Sequence, residues 1–254
     1  MNADLPTPWQ PLPEPELVPY RPIEPASLRS LLVLAPHPDD EVFACGGLLA
    51  IAAAQGLRTD VAIVSDGAAG GDAAVRAQES RRAAAELGYA VGAGRLALWG
   101  RPDRGVVPDA ALVQRIVAAL DAGANEWLLA PSPFEVHPDH RAVCLAAVEA
   151  WRQRPACRLG FFEIGQPLLP NGLLDITSVL ALKQRAMRCF ASQLAVQAYD
   201  EHVTALNRYR AYTLGPAVTH AEAYWFPDRG CLEGGVEGLL AEVERLLRQR
   251  LRGS

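Results

Sequence analysis

The chain has 254 residues, of which half are hydrophobic and 21% are charged, and its 24 basic and 29 acidic side chains give a net charge of −5. These values exclude a disordered chain, which lacks the apolar surface that offsets chain entropy. They also argue against nucleic acid as a partner, because the sequence supplies no basic surface for a phosphate backbone. The length fits one α/β domain.

Composition also bears on location and redox state. The longest uncharged apolar run, residues 42–54, is shorter than the ~18–20 residues of a membrane span, so no transmembrane segment is predicted. The N-terminus lacks the basic and apolar regions of a secretory signal, and the five cysteines form no CxxC pair. The sequence therefore predicts a cytoplasmic protein with reduced thiols, and it leaves open whether the chain forms a homo-oligomer.

The first segment in chain order is rich in proline, since residues 6–25 hold eight of the twenty prolines. Proline fixes φ and removes an amide donor, so this segment is predicted to be neither helix nor central strand. We expect residues 1–29 to form an arm that lies over the domain as a polyproline-like strap. A free tail and a partner-binding segment are the alternatives. Residues 30–254 are predicted to form a single domain.

After residue 30, short apolar segments alternate with helix-forming ones. Strands are predicted at 31–35, 60–64, 96–99, 127–130 and 159–164, with helices between them at 46–55, 75–87, 109–120 and 140–151. This alternation predicts βαβ units and a Rossmann-like α/β fold, with a mainly parallel sheet and helices on both faces. The more irregular C-terminal third is predicted to hold helices at 179–190, 195–212 and 236–250 and a strand at 224–226.

The first group of reactive side chains follows the first predicted strand. Residues 37–41 read HPDDE and are followed by two glycines, 46–47, which we expect to allow close chain approach before the next helix. The side chains of Asp39 and Asp40 must point in different directions because the residues are adjacent. One of them can then bind a metal while the other remains free for proton transfer. A solvated loop that caps the next helix is the alternative interpretation.

A related segment, residues 137–140 with the sequence HPDH, follows the fourth predicted strand. If both strands are parallel and central, the two segments meet at one edge of the sheet, where ligands bind in such folds. Two His and one Asp provide three ligands with a fourth position for water, which is the open ligand set of catalytic zinc. The residues needed for metal-assisted hydrolysis of an amide or ester are therefore present.

In combination, the two motifs resemble those of the LmbE/PIG-L family of zinc-dependent N-deacetylases, over residues 30–228. The resemblance implies removal of an N-acetyl group from an N-acetylglucosamine-type sugar, through a metal-activated water and an Asp general base. It implies one Zn²⁺ per site, although iron, cobalt or manganese also suits such ligands. The expected partner is a small-molecule N-acetylated sugar or glycoconjugate.

The resemblance also implies roles for individual residues. The metal ligands would be His37, Asp40 and His140. Asp39 would be the general base, and His137 would polarise the substrate carbonyl and stabilise the oxyanion. The proton for the leaving amine would come from either Asp39 or His137.

Two further residues match family segments that contact the substrate in some members. Arg76 is expected to bind substrate, with an intrahelical pair to Glu79 or Ser80 as the alternative. Asp103, in a Pro-Asp turn, is expected near the sugar, with a purely turn-forming role as the alternative.

Glu41 is expected to be structural. Glu135 stands where some sugar deacetylases have a tyrosine, so a tyrosine-assisted step is in doubt. Two other function classes stay open: a metal phosphoesterase built on Asp39 and Asp40, and a metal- or sugar-binding module without catalysis. The pocket walls are expected to come from loops at 66–74, 100–108 and 165–175.

Overall fold

The computed structural model describes residues 21–24, 27, 29–90 and 94–252. The strands are β1 (Arg21–Pro22), β2 (Ser30–Ala35), β3 (Arg58–Ser65), β4 (Arg95–Arg101), β5 (Trp127–Pro131), β6 (Arg158–Phe162), β7 (Gly172–Asp175) and β8 (Ala221–Trp225). The helices are α1 (Asp40–Ala54), α2 (Ala73–Leu87), α3 (Ala110–Gly123), α4 (Pro138–Gln153), α5 (Leu180–Met187), α6 (Ala191–Leu194), α7 (Tyr199–Arg210), α8 (Arg229–Glu233) and α9 (Gly235–Arg252).

All the strands lie in one sheet, in the order β1-β7-β8-β6-β5-β2-β3-β4. Strand β8 runs antiparallel to both of its neighbours, and every other pairing is parallel. The predicted α/β fold with a mainly parallel sheet is therefore confirmed. The chain proceeds from β2 outward to β4 and then returns to β5 on the other side of β2. Between β2 and β5 the strand order reverses, and such a crevice binds ligands in open α/β sheets.

Strand β2 shows why both faces of this sheet are covered. Its residues 31–35 are buried without a break rather than alternately. Leu32 and Leu34 pack into one hydrophobic cluster, while Leu31 and Val33 pack into the cluster on the opposite face. A continuous apolar run is typical of such a strand, and it fixes the position of the HPDDE loop that follows.

Helix α1 begins at Asp40 rather than after residue 45, so the predicted start of this helix was wrong. Acidic side chains in a first turn favour a helix start, and here they are Asp40 and Glu41. The two glycines lie inside the helix. Gly47 allows close packing, because a Cβ at this position would collide with the side chain of Ile176.

A buried acid holds the middle of α1. Glu222 on β8 accepts hydrogen bonds from the amides of Gly47 (2.6 Å) and Leu48 (2.9 Å). The same carboxylate lies 2.7 Å from Nζ of Lys183 on α5, and both side chains are almost fully buried. Lys183 also donates to Asn207 of α7 at 3.0 Å. Removal of one partner from such a buried pair costs about 3–5 kcal/mol, so this network ties α1 to the C-terminal third.

The C-terminal third differs from the prediction in several places. The helix predicted at 195–212 begins only at Tyr199, as α7, and the region predicted as a loop at 165–175 contains β7. A four-residue strand carries too short a pattern to be recognised in a sequence. The helix predicted at 236–250 lies within α9.

The proline-rich arm lies mostly outside the described residues, and the strap therefore stays a prediction. Its end, Arg21–Pro22, pairs with β7 at the edge of the sheet, where a proline is tolerated. Among the helices that the structure describes, none combines the length and the apolar character required to cross a membrane.

Candidate metal centre and active site

The loop between β2 and α1 places Asp39 in a strained conformation, with φ at 126°. A non-glycine residue adopts such a φ only where its surroundings enforce it. The amide of Asp39 donates to Oε2 of Glu41 at 3.0 Å, and Glu41 is completely buried. The expectation that Glu41 is structural agrees with this contact. Strain of this kind is typical of functional sites.

Three donor atoms converge at the crevice between β2 and β5. Nδ1 of His37 lies 3.3 Å from Oδ2 of Asp40 and 3.2 Å from Nε2 of His140. The third side of this triangle, from Nε2 of His140 to Oδ2 of Asp40, measures 3.3 Å. Tetrahedral N and O ligands at about 2.0–2.1 Å from zinc are separated by roughly 3.3 Å. The three predicted ligands are therefore brought together with the spacing of a tetrahedral site.

Carboxylates occupy the outer nitrogens of both imidazoles. Nδ1 of His140 lies 3.1 Å from Oε2 of Glu135. Nε2 of His37 lies 3.1 Å from Asp139 and 3.2 Å from Asp103. A proton on each outer nitrogen satisfies these contacts, so the two inner nitrogens present lone pairs that face each other. A cation placed between them relieves this repulsion, and the carboxylates fix the tautomers.

The local charges shift the pKa values of the same groups. Burial lowers the pKa of His140, but the charge of Asp40 overcomes this effect and raises that pKa to about 10. Burial also opposes protonation of His37, whose pKa is nevertheless raised by its hydrogen bond to Asp40. The pKa of Asp40 is lowered despite its burial, mainly by His140. The triangle thus combines an ionised carboxylate with imidazoles that take up a proton when no metal replaces it.

Backbone amides hold the two outer carboxylates in place. Glu135 accepts hydrogen bonds from the amides of residues 164–166, at 2.9–3.3 Å. Asp139 accepts from the amides of Arg104 (2.7 Å) and Val106 (3.2 Å). Sequence reasoning assigned neither residue a role. Their partners are about 30 residues away along the chain, and the only available signal was the position of both acids in or beside the HPDH motif.

Arg76 contacts the expected general base. Its guanidinium donates to Oδ2 of Asp39 at 2.9 Å, to the carbonyl of Pro38 at 2.7 Å and to that of Gly67 at 2.9 Å. The alternative of an intrahelical pair is wrong for Glu79, which instead accepts hydrogen bonds from Ser192 at 2.8 and 2.6 Å. Arg76 is 4% exposed and lines the cavity.

The electrostatic surroundings of Asp39 favour its protonated form. Burial raises the pKa of Asp39 well above its usual range, and the charge of Asp40 raises it further against the opposing effect of Arg76. A carboxyl with a raised pKa can both accept and return a proton near neutral pH. The pKa values of the two adjacent aspartates are therefore shifted in opposite directions, which suits Asp40 to be a ligand and Asp39 to exchange a proton.

His137 lines the cavity, and one of its ring nitrogens is already engaged by the backbone. It is the N-cap of α4, and its Nδ1 accepts the amide of Asp139 at 3.2 Å. The proton of the neutral ring is therefore on Nε2. Its ring centroid lies 4.7 Å from that of His37 and 5.1 Å from that of His140. Burial and the charges of these two neighbours lower the pKa of His137, which makes it a neutral hydrogen-bond donor.

A cavity of about 670 Å³ opens onto the triangle. Asp103 lines it with one carboxylate oxygen facing His37, while the other oxygen accepts the amide of Ala69 at 3.0 Å. Every residue proposed from the sequence as catalytic, metal-binding or substrate-binding lines this cavity. The sequence did not predict the part of the wall that α7 supplies, from residues 199–206.

The fold and the cluster at its switch point define a Rossmann-like α/β protein with a candidate His/Asp hydrolytic centre. The sequence matches the model of the PIG-L family, described as GlcNAc-PI de-N-acetylase, over residues 32–151. None of the curated protein sequences matches this chain.

Solved structures give a longer match. A conserved protein from Thermus thermophilus has 30% identity and a TM-score of 0.71, and the match covers 80% of this chain and 96% of that one. GalB, the 4-carboxy-2-hydroxymuconate hydratase from Pseudomonas putida, has 25% identity and a TM-score of 0.67 over 79% and 98% of the two chains. The N,N'-diacetylchitobiose deacetylase from Pyrococcus horikoshii, complexed with its inhibitor MPG, shares the fold with 21% identity and a TM-score of 0.70 over 80% and 85%. The chain belongs to the PIG-L (LmbE-like) family.

Proposed function

We propose that this protein is a zinc-dependent hydrolase that removes the N-acetyl group from an N-acetylglucosamine-type sugar or sugar conjugate. The observation that carries this proposal is the triangle of His37, Asp40 and His140, with sides of 3.2–3.3 Å and a strained Asp39 beside it that is not part of the triangle. Membership of a de-N-acetylase family supports amide hydrolysis as the reaction that this site catalyses.

The three residues of the triangle would hold the metal. When bound there, Zn²⁺ supplies Lewis-acid polarisation and lowers the pKa of water toward about 7. Glu135 and Asp139 would keep the ligand tautomers fixed through the outer nitrogens of His140 and His37. Loss of such supporting contacts typically weakens metal affinity by about 10–100-fold.

Asp39 would carry out the proton transfers. In our proposal its carboxylate takes a proton from the attacking water and afterwards gives it to the leaving amine. Arg76 serves as a positioning residue, because its hydrogen bonds to Asp39 and Pro38 fix the carboxylate in the geometry imposed by the strained backbone. Proton transfer by a positioned group contributes about 10²–10⁴ to the rate.

His137 would stabilise the developing oxyanion. Its Nε2–H donates without a formal charge, because the ring is held neutral and its other nitrogen accepts the amide of Asp139. Removal of one such donor typically costs about 10²–10³ in kcat. Asp103 and Arg104, on the loop after β4, would face the sugar hydroxyls from the polar side of the cavity.

The test is acetate release from N-acetylglucosamine and its conjugates, measured on protein whose metal content has been determined. We expect one Zn²⁺ per chain and activity that is lost in Asp39→Asn and in His140→Ala. Asp121→Asn is the matched control, because Asp121 is exposed and pairs with Arg154 away from the cavity. Full activity in Asp39→Asn would overturn the proposal.

The likeness to a hydratase gives a second candidate, addition of water to a carbon–carbon double bond. A metal and a general base suit that reaction as well, so an unsaturated carboxylic acid belongs in the same screen. Hydration without acetate release would favour this candidate. Release of phosphate with two metal ions per chain would instead favour a phosphoesterase.

A further inference from the structure

The cavity has a polar side and an apolar side, and the strand order separates them. The triangle stands on the loops after β2 and β5, at the centre. The loops after β3 and β4 lie to one side of it and contribute Gly70, Asp103 and Arg104 to the cavity. The segment after β6 lies to the other side and contributes Ile164 and Pro167.

Helix α7 continues the apolar side. It faces the cavity with Val203, Leu206 and the ring of Tyr199, which lies 6.1 Å from the ring of Phe43 on α1. One polar side chain of this helix, the exposed His202, also lines the cavity. Amide hydrolysis alone needs no apolar surface of this extent, because an acetyl group offers a single methyl.

The apolar side leads into a second cavity of about 450 Å³. Pro167 and Leu206 line both cavities and form their junction. Beyond it the lining is again mostly apolar or aromatic: Leu168, Leu169, Pro170, Leu173, Tyr209 and Tyr212. The charged residue there, Arg210, is paired with Glu163 and leaves no free charge in the groove.

The proton path decides which part of an amide faces which side. Asp39 would return its proton to the nitrogen, and Asp39 is held by Arg76, which also donates to the carbonyl of Gly67 on the polar side. The amine and the sugar that bears it therefore belong there. The acyl group, on the other side of the carbonyl carbon, points toward Ile164, Pro167 and α7.

We propose that this site accepts N-acyl amino sugars whose acyl chain is longer than acetyl, with the chain lying along α7 and entering the second cavity past Leu206. The inference rests on the proposed hydrolase function and names its substrate class. Water supplies the oxygen of the released fatty acid, the C–N bond breaks, and the amine leaves with the returned proton.

The experiment compares N-acetylglucosamine, N-octanoylglucosamine and octyl N-acetylglucosaminide on the zinc-loaded protein. Burial of methylenes is favourable, so the six additional methylenes of the octanoyl amide, even where only partly buried, should raise kcat/KM at least about tenfold. Equal or lower kcat/KM for the octanoyl amide would overturn the proposal. A gain confined to the octyl glycoside would assign the groove to the aglycone instead and would equally overturn it.

A blocking variant tests the route. Leu206→Trp enlarges the side chain at the junction and should lower the ratio of octanoyl to acetyl kcat/KM about tenfold or more. Leu240→Trp, at a site on α9 that is 53% exposed and does not line the cavities, should leave that ratio unchanged. An unchanged ratio in Leu206→Trp contradicts the route. Absence of hydrolysis of all three compounds is a failure of the proposed function itself, whereas acetate release without chain preference is a failure of this inference alone.

Discussion

The two loops that build the site begin with the same tripeptide, His-Pro-Asp, and use it differently. After β2 the helix starts only at Asp40, and Asp39 is left outside it at a φ of 126°. After β5 the helix starts two positions earlier in the motif, at Pro138, with His137 as its N-cap.

This shift exchanges the roles of the residues. The single histidine of the earlier motif, His37, turns Nδ1 toward the triangle, whereas Nδ1 of His137 caps its own helix. Asp39 lines the cavity and accepts a hydrogen bond from Arg76, whereas Asp139 is 1% exposed and contacts the outer nitrogen of His37. The comparison teaches that helix start and cross-loop contacts assign the role of each residue, and residue type alone does not.

The largest expected difference is between the effects of replacing His140 and His137, the two histidines of the second motif. His140→Ala removes one corner of the triangle and should abolish metal binding and acetate release together. His137→Ala should retain the metal and lower kcat by about 10²–10³, because it removes a donor to the oxyanion. Metal analysis of both purified variants beside kcat checks this, and a His137 variant that loses its metal would break the distinction.

The next largest difference is expected between substitutions of Asp39 and Asp139. Asp39→Asn should lower kcat by about 10²–10⁴ with metal content unchanged, since proton transfer is lost. Asp139→Asn should instead weaken zinc affinity by about 10–100-fold through the orientation of His37. Competition with a chromogenic chelator measures the affinity. The contrast fails if Asp39→Asn is the variant that loses zinc.

A difference in stability is expected between substitutions of Glu41 and Arg141, the residues at the fifth position counted from the first histidine of each motif. Burial raises the pKa of Glu41 to about 7. A carboxyl whose pKa is higher in the folded state contributes stability that is complete below its unfolded pKa of about 4.5 and lost as pH rises through 7. Between these limits the contribution is at most about 3 kcal/mol.

Urea unfolding of metal-free protein from pH 4.5 to pH 8 tests this prediction. Glu41→Gln should lack the part of the pH dependence that belongs to Glu41, so that the variant gains stability relative to the parent as pH rises. Arg141→Gln, a change at an exposed position on α4, is the matched control and should follow the parent. If the free energy of unfolding varies with pH in the same way for Glu41→Gln and the parent, Glu41 is not the buried titrating group.

The smallest effect concerns protons released by metal binding. Because the pKa of His140 is raised to about 10, the metal-free site carries a proton at pH 7 that zinc must displace. Zinc affinity should therefore rise about tenfold per pH unit below that pKa, with about one proton released per metal. Calorimetry in buffers of different ionisation enthalpy counts the protons. His137→Gln should give the same count, since the pKa of His137 is lowered.

The sequence allowed the core of this architecture to be predicted. Apolar runs such as 31–35 and 127–130 identified the two central strands, and parallel pairing brought HPDDE and HPDH to one edge. The sequence-based analysis missed contacts between residues distant in the chain. The bond from Arg76 to Asp39 and the amides of residues 164–166 around Glu135 depend on how loops meet, which no local pattern records. The start of α1 was predicted too late because Gly46 and Gly47 suggested a boundary of the helix. They lie inside it, where Gly47 allows close packing against Ile176.

The buried network of Glu222 and Lys183 that holds α1 means that the reactive residues do not form an independent structural unit. Residues 32–151, which match the family model, contain every proposed metal ligand and proton carrier. Yet the helix that presents Asp40 is held at Gly47 and Leu48 by Glu222, which is itself neutralised by Lys183. A chimaera that transplants the first half into a relative therefore inherits all the reactive groups and still depends on the recipient to supply this acid and its base.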